Sequence, residues 1–238
     1  MTRVALLATA MFLAGCGGGD EEAAPTVFAA SSLRDVAPEI DPEATVVFGG
    51  SNDLAAQIRD GAAADVILTA SAKPLEDLRG DGLVEAPVAF ASNRLVVIVP
   101  AENPAKVTHV ADLTRDGVKL VLGAKGVPVG DYARELLELA GLGAAHGNIV
   151  SLEEDVKGVV GKVMLGEADA GIVYATDVRA AGDDVRSYPI SGYFQPRIAY
   201  YAALVSPASE PGREYLERLL GEEGQATLRA EGFRPAPS

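Results

Sequence analysis

The chain has 238 residues, of which 48% are hydrophobic and only 5% aromatic, and its formal net charge is −14. This acidic balance argues against nucleic acid and anionic lipid headgroups as partners, because the protein would repel both. The length fits one large or two small α/β domains. Trp is absent, so the core must consist mostly of Ala, Val, Leu and Ile.

The N-terminus, MTRVALLATAMFLAGC, has the pattern of a bacterial export signal. One cation, Arg3, precedes an apolar run at residues 4–13 that is too short to span a bilayer. The following LAGC resembles the lipobox, in which the peptide is cut before the cysteine and the thiol receives lipid. We predict a lipoprotein signal peptide at 1–15, lipidation at Cys16, and a flexible, acidic tether at 16–25. An ordinary signal peptide with a chance cysteine is the alternative.

Beyond the tether, short β-branched runs alternate with segments of helical periodicity. Alternation of this kind predicts parallel sheets joined by helical crossovers. In open α/β sheets the ligand binds beyond the carboxyl ends of the strands, where helices begin. The predicted strands are 26–30, 45–49, 65–69, 94–100, 119–123, 148–152, 170–175 and 198–205. The predicted helices are 32–40, 51–60, 71–79, 110–115, 131–140, 154–166, 176–181, 210–220 and 222–231.

Four of the predicted strand-to-helix turns carry groups suited to anion binding. They are AASSL (29–33), FGGSNDL (48–54), GAKGVPVGDYARELL (123–137) and SLEEDVKGVV (151–160). The free N–H groups at each helix start carry roughly half a positive charge, so four converging starts would form an anion site without Lys or Arg. Each turn alone has a simpler explanation, since serine commonly caps helices and Gly-Pro segments commonly form turns.

A family resemblance accounts for these turns together. VFAASSL, FGGSNDLAAQI, GAAADVILTA, NRLVVIVP, GVPVGDYA, EEDVKGVVGKV, AGIVYATD and YLERLLGEEGQATLRAEGF occur in the order and approximate spacing of the periplasmic molybdate-binding proteins, the solute receptors of molybdate ABC importers. The chain resembles this family over nearly all of residues 26–233. The resemblance implies an α/β fold, the two-lobed periplasmic binding protein type II, in which each lobe has a mixed, mainly parallel sheet flanked by helices.

The lobes implied by the resemblance are 26–97 plus 199–238 for lobe 1 and 98–198 for lobe 2. Two hinge crossovers would lie near 97–100 and 198–200. The protein would be extracytoplasmic and monomeric, anchored through Cys16. It would deliver its ligand to the membrane permease of an ABC importer, without catalysis or a cofactor.

The resemblance also implies the binding groups. Ser32 and Ser51 would each donate from Oγ and backbone N–H, Val129 and Val156 would donate their N–H groups, and Tyr174 of GIVY would donate its hydroxyl. These groups would hold molybdate, with tungstate equally acceptable.

Three features depart from the family pattern or need a separate interpretation. Gly50 stands where a hydroxyl is common, and Pro38 and Pro42 predict a truncated first helix. The acids at 153–155 are interpreted as helix N-terminal acids rather than as metal ligands.

The predicted lining only donates hydrogen bonds, which suits a dianion that has no proton near pH 7. Hydrogenphosphate needs a buried acceptor, and a site without one would leave its O–H unpaired at a cost of roughly 1–3 kcal/mol. This chemistry separates phosphate from the sulfate-like ions but does not separate molybdate from sulfate. A receptor for sulfate, thiosulfate or another small anion on the same fold therefore remains the nearest alternative.

Two further alternatives depend on particular side chains. A receptor for an organic acid would be expected to use an arginine clamp, for which Arg34, Arg94 and Arg197 are the candidates, although none lies in the four turns. An anchored hydrolase is disfavoured because G-x-S-x-G is absent and because His109 and His146 lie in polar, loop-like stretches.

Overall fold

A computed structural model describes residues 24–237 of the protein. The predicted signal peptide, Cys16 and most of the predicted tether lie outside the described residues. Among the residues that are described, no helix combines the length and the apolar character needed to cross a membrane.

In residues 24–237, ten strands form two five-stranded sheets with the orders β2-β1-β3-β10-β4 and β7-β6-β8-β5-β9. In each sheet the first three strands are parallel and the last two pair antiparallel. Mixed sheets are therefore confirmed, with as many antiparallel as parallel pairings. The strands are β1 (Thr26–Ala30), β2 (Thr45–Gly49), β3 (Val66–Thr69), β4 (Val88–Ser92), β5 (Leu95–Pro100), β6 (Leu120–Gly123), β7 (Ile149–Glu153), β8 (Ala170–Tyr174), β9 (Val185–Pro189) and β10 (Ala199–Leu204).

Eight α-helices flank these sheets in the described part of the chain, and several connect parallel strands as crossovers. They are α1 (Ala37–Ile40), α2 (Ser51–Arg59), α3 (Lys73–Gly80), α4 (Pro128–Leu139), α5 (Val156–Met164), α6 (Asp177–Ala181), α7 (Glu210–Leu220) and α8 (Glu222–Ala230). Short 3-10 helices occupy Ser31–Leu33, Val110–Thr114, Gly143–Asn148, Gly182–Asp184 and Gly192–Phe194.

The sequence pattern predicted eight strands and missed β4 and β9. Both are the edge strands of the antiparallel side of their sheet. In β9, VRSYP, only the first residue is buried. Edge strands need no continuous apolar run, because only one side pairs and one face contacts solvent. The pattern was therefore too weak to identify them.

Three predicted helices differ from the structure in type or extent. The segment 32–40 is divided into the 3-10 helix Ser31–Leu33 and the four-residue α1, in which a proline stands in the first turn, so the expected truncation is confirmed. The segment 110–115 forms a 3-10 helix. Helix α4 begins at Pro128, three residues earlier than predicted, because proline suits the first helical position.

The chain passes between the sheets twice, once between β4 and β5 and once between β9 and β10. The predicted division after residue 97 falls inside β5, which pairs only with β8 and β9. The second crossing contacts the start of β5 through Gln195. Its Oε1 accepts a hydrogen bond from the backbone N–H of Leu95 at 2.8 Å, and its Nε2 donates to the Leu95 carbonyl at 2.8 Å.

Candidate functional site

The carboxyl ends of the parallel strands of both sheets surround one cavity of about 20 Å³. This is far below the roughly 300–1,000 Å³ typical of pockets for drug-sized ligands, so the space suits a small ion. Within residues 24–237, no Lys or Arg lines it. All five predicted binding residues do. The lining consists of Ala30, Ser31, Ser32, Gly49, Gly50, Ser51, Ala70, Val127, Pro128, Val129, Asp155, Val156 and Tyr174.

Ser32 lies in the turn after β1 and is 6% exposed. The hydroxyl of Tyr200, on β10, donates a hydrogen bond to Ser32 Oγ at 3.1 Å. Because this bond uses a lone pair of the serine oxygen, the Ser32 proton is available for another acceptor. The structure therefore presents Ser32 as a donor at the cavity.

Ser51 occupies the equivalent turn after β2, as the first residue of α2. The backbone N–H of Ala70, directly after β3, donates to Ser51 Oγ at 3.1 Å. A backbone N–H can only donate, so the Ser51 hydroxyl is also left with its proton to offer. Both serine hydroxyls are thus oriented to donate a hydrogen bond into the cavity, although Ser32 is oriented by a side chain and Ser51 by the main chain.

Tyr174 ends β8 and is 1% exposed. Its hydroxyl is buried and has no hydrogen-bond partner in the structure. Burial raises the pKa of Tyr174 well above its ordinary value, so the phenol keeps its proton and can donate it. A buried, unpaired hydroxyl costs about 1–3 kcal/mol, and an acceptor in the cavity would remove that cost.

Val129 and Val156 contribute backbone groups rather than side-chain chemistry. Val129 is the second residue of α4, and Val156 is the first residue of α5. Helix geometry leaves the N–H groups of the first turn without intrahelical acceptors and concentrates positive charge there. Their two N–H groups are therefore suited to an anion, and the buried valine side chains serve packing.

Of the carboxylates that the structure describes, Asp155 alone lines the cavity. It is the N-cap of α5, and its Oδ1 accepts a hydrogen bond from the Gly158 N–H at 2.8 Å. The interpretation of this residue as a helix N-terminal acid is confirmed. Within residues 24–237, no group of three or more His, Cys, Asp or Glu side chains could hold a metal ion.

The cationic residues considered for other functions lie elsewhere. The Arg34 guanidinium stacks over the Phe48 ring at 4.6 Å from its centroid. Arg94 lines a separate cavity, and neither it nor Arg197 lines the one described above. His109 is exposed and pairs with the side chain of a nearby aspartate on the same 3-10 helix. These positions provide no arginine clamp and no nucleophile–base pair at the cavity.

The two halves of the cavity contact each other closely at Gly50. A Cβ atom on Gly50 would lie 2.6 Å from the backbone carbonyl oxygen of Glu154, on the opposite side. Nearby, Asn52 Nδ2 donates to the carbonyl oxygen of Gly126. The glycine at a position where the family commonly has a hydroxyl thus leaves room for the approach of Glu154.

Two functional neighbours were not identified from the sequence, namely Tyr200 and Asn93. Tyr200 orients Ser32 from a position 168 residues away, and Asn93 contacts Tyr200 from 107 residues away. Tyr200 lies within an apolar strand pattern, and Asn93 in a short polar linker. Asn93 begins the segment NRLVVIVP, but nothing in that segment or around Tyr200 marks either residue as part of a binding site, so only the fold could place them there.

Comparison with known proteins identifies the family to which the chain belongs. Residues 26–234 match the sequence model of the family described as bacterial extracellular solute-binding protein. The molybdate-binding protein ModA of Mycobacterium tuberculosis is 31% identical, over 95% of each chain. The solved structure of the Azotobacter vinelandii periplasmic molybdate-binding protein has a TM-score of 0.77 at 20% identity and covers 90% of this chain and 100% of its own.

A second solved structure shares the fold at lower similarity. The sulfate-binding protein SubI of Mycobacterium tuberculosis has a TM-score of 0.72 at 16% identity, covering 89% of this chain and 86% of its own. At identities of 20% and 16%, these two solved structures are evidence for the fold alone. The two-lobed α/β fold expected from the resemblance is confirmed. With the family model matched over almost the whole described chain, the protein belongs to the bacterial extracellular solute-binding proteins and resembles their molybdate-binding members.

Proposed function

We propose that this protein is the molybdate receptor of an ABC importer, with tungstate as an equally acceptable ligand. The ion would occupy the cavity between the two sheets. Ser32, Ser51 and Tyr174 would bind it through their hydroxyls, and the serines, Val129 and Val156 through backbone N–H groups. The role needs no catalysis and no cofactor, because the bound ion leaves unchanged.

The observation that carries this proposal is the buried, unpaired hydroxyl of Tyr174 in a small cavity whose serine hydroxyls are both oriented as donors. A lining of this kind stabilises a ligand that only accepts hydrogen bonds. Molybdate, tungstate and sulfate meet this condition at neutral pH. Hydrogenphosphate does not, because its own proton would face other donors.

Molybdate is favoured over sulfate by the pattern of similarity. The relative that is 31% identical over 95% of both chains is named for molybdate, whereas the sulfate-binding neighbour shares 16% identity. Binding of either ion would be driven by short-range dipoles. The net charge of −14 opposes capture only weakly at physiological salt, where surface charges are screened within about 8 Å.

The proposed mechanism of capture is closure of two lobes. We assign the first sheet and its helices to lobe 1 and the second sheet to lobe 2, with the crossings at 93–94 and 190–198 as the hinge. This refines the lobes predicted from sequence, since β5 pairs within the second sheet. The closed form would dock on the permease, while the lipid predicted on Cys16 keeps the receptor at the extracytoplasmic membrane surface.

Thermal melting with molybdate, tungstate, sulfate and phosphate at equal concentrations tests the ligand. At 1,000 times Kd a ligand adds about 4 kcal/mol to the free energy of unfolding, which raises Tm by several degrees in a protein of this size. We expect this rise with molybdate and tungstate and none with phosphate. A rise with sulfate alone would instead identify a sulfate receptor, and no rise with any of the four would refute the proposal.

A further inference from the structure

A chain of buried hydrogen bonds runs from a crossing between the sheets to the cavity. The Arg94 backbone N–H donates to Asn93 Oδ1 at 2.9 Å. Asn93 Nδ2 donates to Thr176 Oγ1 at 3.0 Å and to the Tyr200 hydroxyl at 3.4 Å. The Tyr200 hydroxyl donates to Ser32 Oγ at 3.1 Å. Asn93 is 8% exposed and lines a separate cavity, whereas Tyr200 is fully buried, so the bond between Tyr200 and Ser32 is shielded from water.

The donor and the acceptor of each hydrogen bond in this series follow from the first bond, between the Arg94 N–H and Asn93 Oδ1. A backbone N–H can only donate, so the side-chain oxygen of Asn93 must face Arg94, and its NH₂ group must face Tyr200. The Tyr200 oxygen therefore accepts, and its single proton goes to Ser32. Burial raises the pKa of Tyr200, which keeps that proton in place. The Ser32 hydroxyl is thus left with its proton to offer to the cavity.

We propose that Asn93 determines the selectivity of the cavity for unprotonated oxyanions, acting as a positioning residue through Tyr200 on Ser32. The inference rests on the proposed function and deepens it. Asn93 does not line the cavity. Its amide fixes which side of the Ser32 hydroxyl faces the ligand, and a Ser32 that presented a lone pair would accept the proton of hydrogenphosphate.

Ser32 is the serine at which a side-chain substitution can change this preference. The Ser51 hydroxyl is oriented by the backbone N–H of Ala70, which a substitution leaves in place. The Ser32 hydroxyl is oriented by two side chains in series. Replacing the donor group of Asn93 by an acceptor should therefore reverse the hydrogen bond between Tyr200 and Ser32.

The substitution Asn93→Asp makes this reversal with almost no change of shape. A carboxylate only accepts, so it accepts from the Arg94 N–H and from the Tyr200 hydroxyl. The Tyr200 oxygen then accepts the proton of Ser32, and the lone pair of Ser32 faces the cavity. We expect the ratio of the phosphate Kd to the molybdate Kd to fall about 10- to 100-fold, as for one donor pairing lost or gained.

Isothermal titration calorimetry at pH 8 measures this ratio under conditions that remove the charge effect. Hydrogenphosphate and molybdate both carry two negative charges there, so repulsion by the added carboxylate weakens both equally and cancels in the ratio. Gln57→Glu, an exposed amide-to-carboxylate change on α2, is the matched control and should leave the ratio unchanged. Tyr200→Phe breaks the chain without adding charge, frees the Ser32 hydroxyl to rotate, and should lower the ratio about 3- to 10-fold.

The outcomes separate this inference from the proposed function. If the unmodified protein does not bind molybdate, the proposed function fails. If it binds molybdate and Asn93→Asp weakens both ions equally, the inference is overturned while the function stands. Should Asn93→Asp fail to give a cooperative thermal transition, Tyr200→Phe decides, and an unchanged ratio in that variant overturns the inference.

Discussion

The contact at Gly50 gives a direct test of how closely the two sides of the cavity must approach. The backbone of Gly50 has φ −63° and ψ 140°, an extended conformation that alanine adopts without strain. The substitution Gly50→Ala therefore changes only the space available. Its methyl group would lie 2.6 Å from the Glu154 carbonyl oxygen, where an ordinary contact begins at about 3.4 Å.

The expected loss of molybdate affinity follows from this geometry. Relieving the contact requires the two sides to separate by about 1 Å at this point, enough to take a hydrogen bond of about 2.9 Å out of bonding range. Val156, two residues after Glu154, moves with it, and its N–H is one of the proposed donors. Losing one hydrogen bond to a charged acceptor costs about 1.5–3 kcal/mol, so we expect molybdate affinity to fall about 10- to 150-fold.

Isothermal titration calorimetry with molybdate measures the affinity, and thermal unfolding without ligand measures the stability. The Tm of the unliganded protein should change little, because an open cleft relieves the contact with Glu154. The second close atom, Asp53 Oδ2 at 2.9 Å, belongs to an exposed side chain that can rotate away. Gly80→Ala is the matched control, since a Cβ there meets nothing within 4 Å, and it should bind normally. A Gly50→Ala variant that retains the affinity of the unmodified protein would refute the reasoning.

Four further substitutions test three residues of the site and one buried carboxyl outside the cavity lining. Tyr174→Phe removes the unpaired buried hydroxyl, so the unliganded protein should gain about 1 kcal/mol while molybdate binding weakens; equal or lower stability in a denaturant titration would contradict this. Ser32→Ala and Ser51→Ala should each weaken binding about tenfold or more without a large change in Tm, and unchanged affinity in both would show that the residue assignment is wrong. Burial raises the pKa of Asp177 from 3.8 to about 7, although Lys157 Nζ lies 3.3 Å from its Oδ1. The folded state thus holds a proton that the unfolded chain releases at lower pH, and stability falls as pH rises from about 4 to 7, on the order of 4 kcal/mol. Asp177→Asn should remove this decline in urea unfolding, and parallel pH profiles of the variant and the unmodified protein would contradict it.

The sequence predicted those elements whose burial is written into a local pattern. The strands β1, β2, β6 and β8 are buried or half-buried along most of their length, and their β-branched runs indicated them within a residue or two. The edge strand β9 has one buried residue, so its position depends on pairing with β5 rather than on its own composition. Helix α4 was placed too late because Pro128 was read as part of a turn, although proline suits a helix start.

In the candidate site, too, one part was predictable from the sequence and another was not. Ser32 and Ser51 stand at strand-to-helix turns, where local rules alone point to them, and the family resemblance selected them from many similar turns. The orientation of their hydroxyls was not predictable. It depends on Tyr200 for one and on Ala70 for the other, and these contacts form only when strands distant in sequence are brought side by side.

The division of the cavity lining between two sheets has a consequence for release. Each side supplies only part of the hydrogen-bonding shell, and none of the proposed contacts is a charge pair that would persist over distance. Separating the two sides by about an ångström or two would therefore break the hydrogen bonds to the ion, since hydrogen bonds weaken steeply with length. A transporter would need only mechanical work on the receptor to empty it, with no competing ligand and no change of pH.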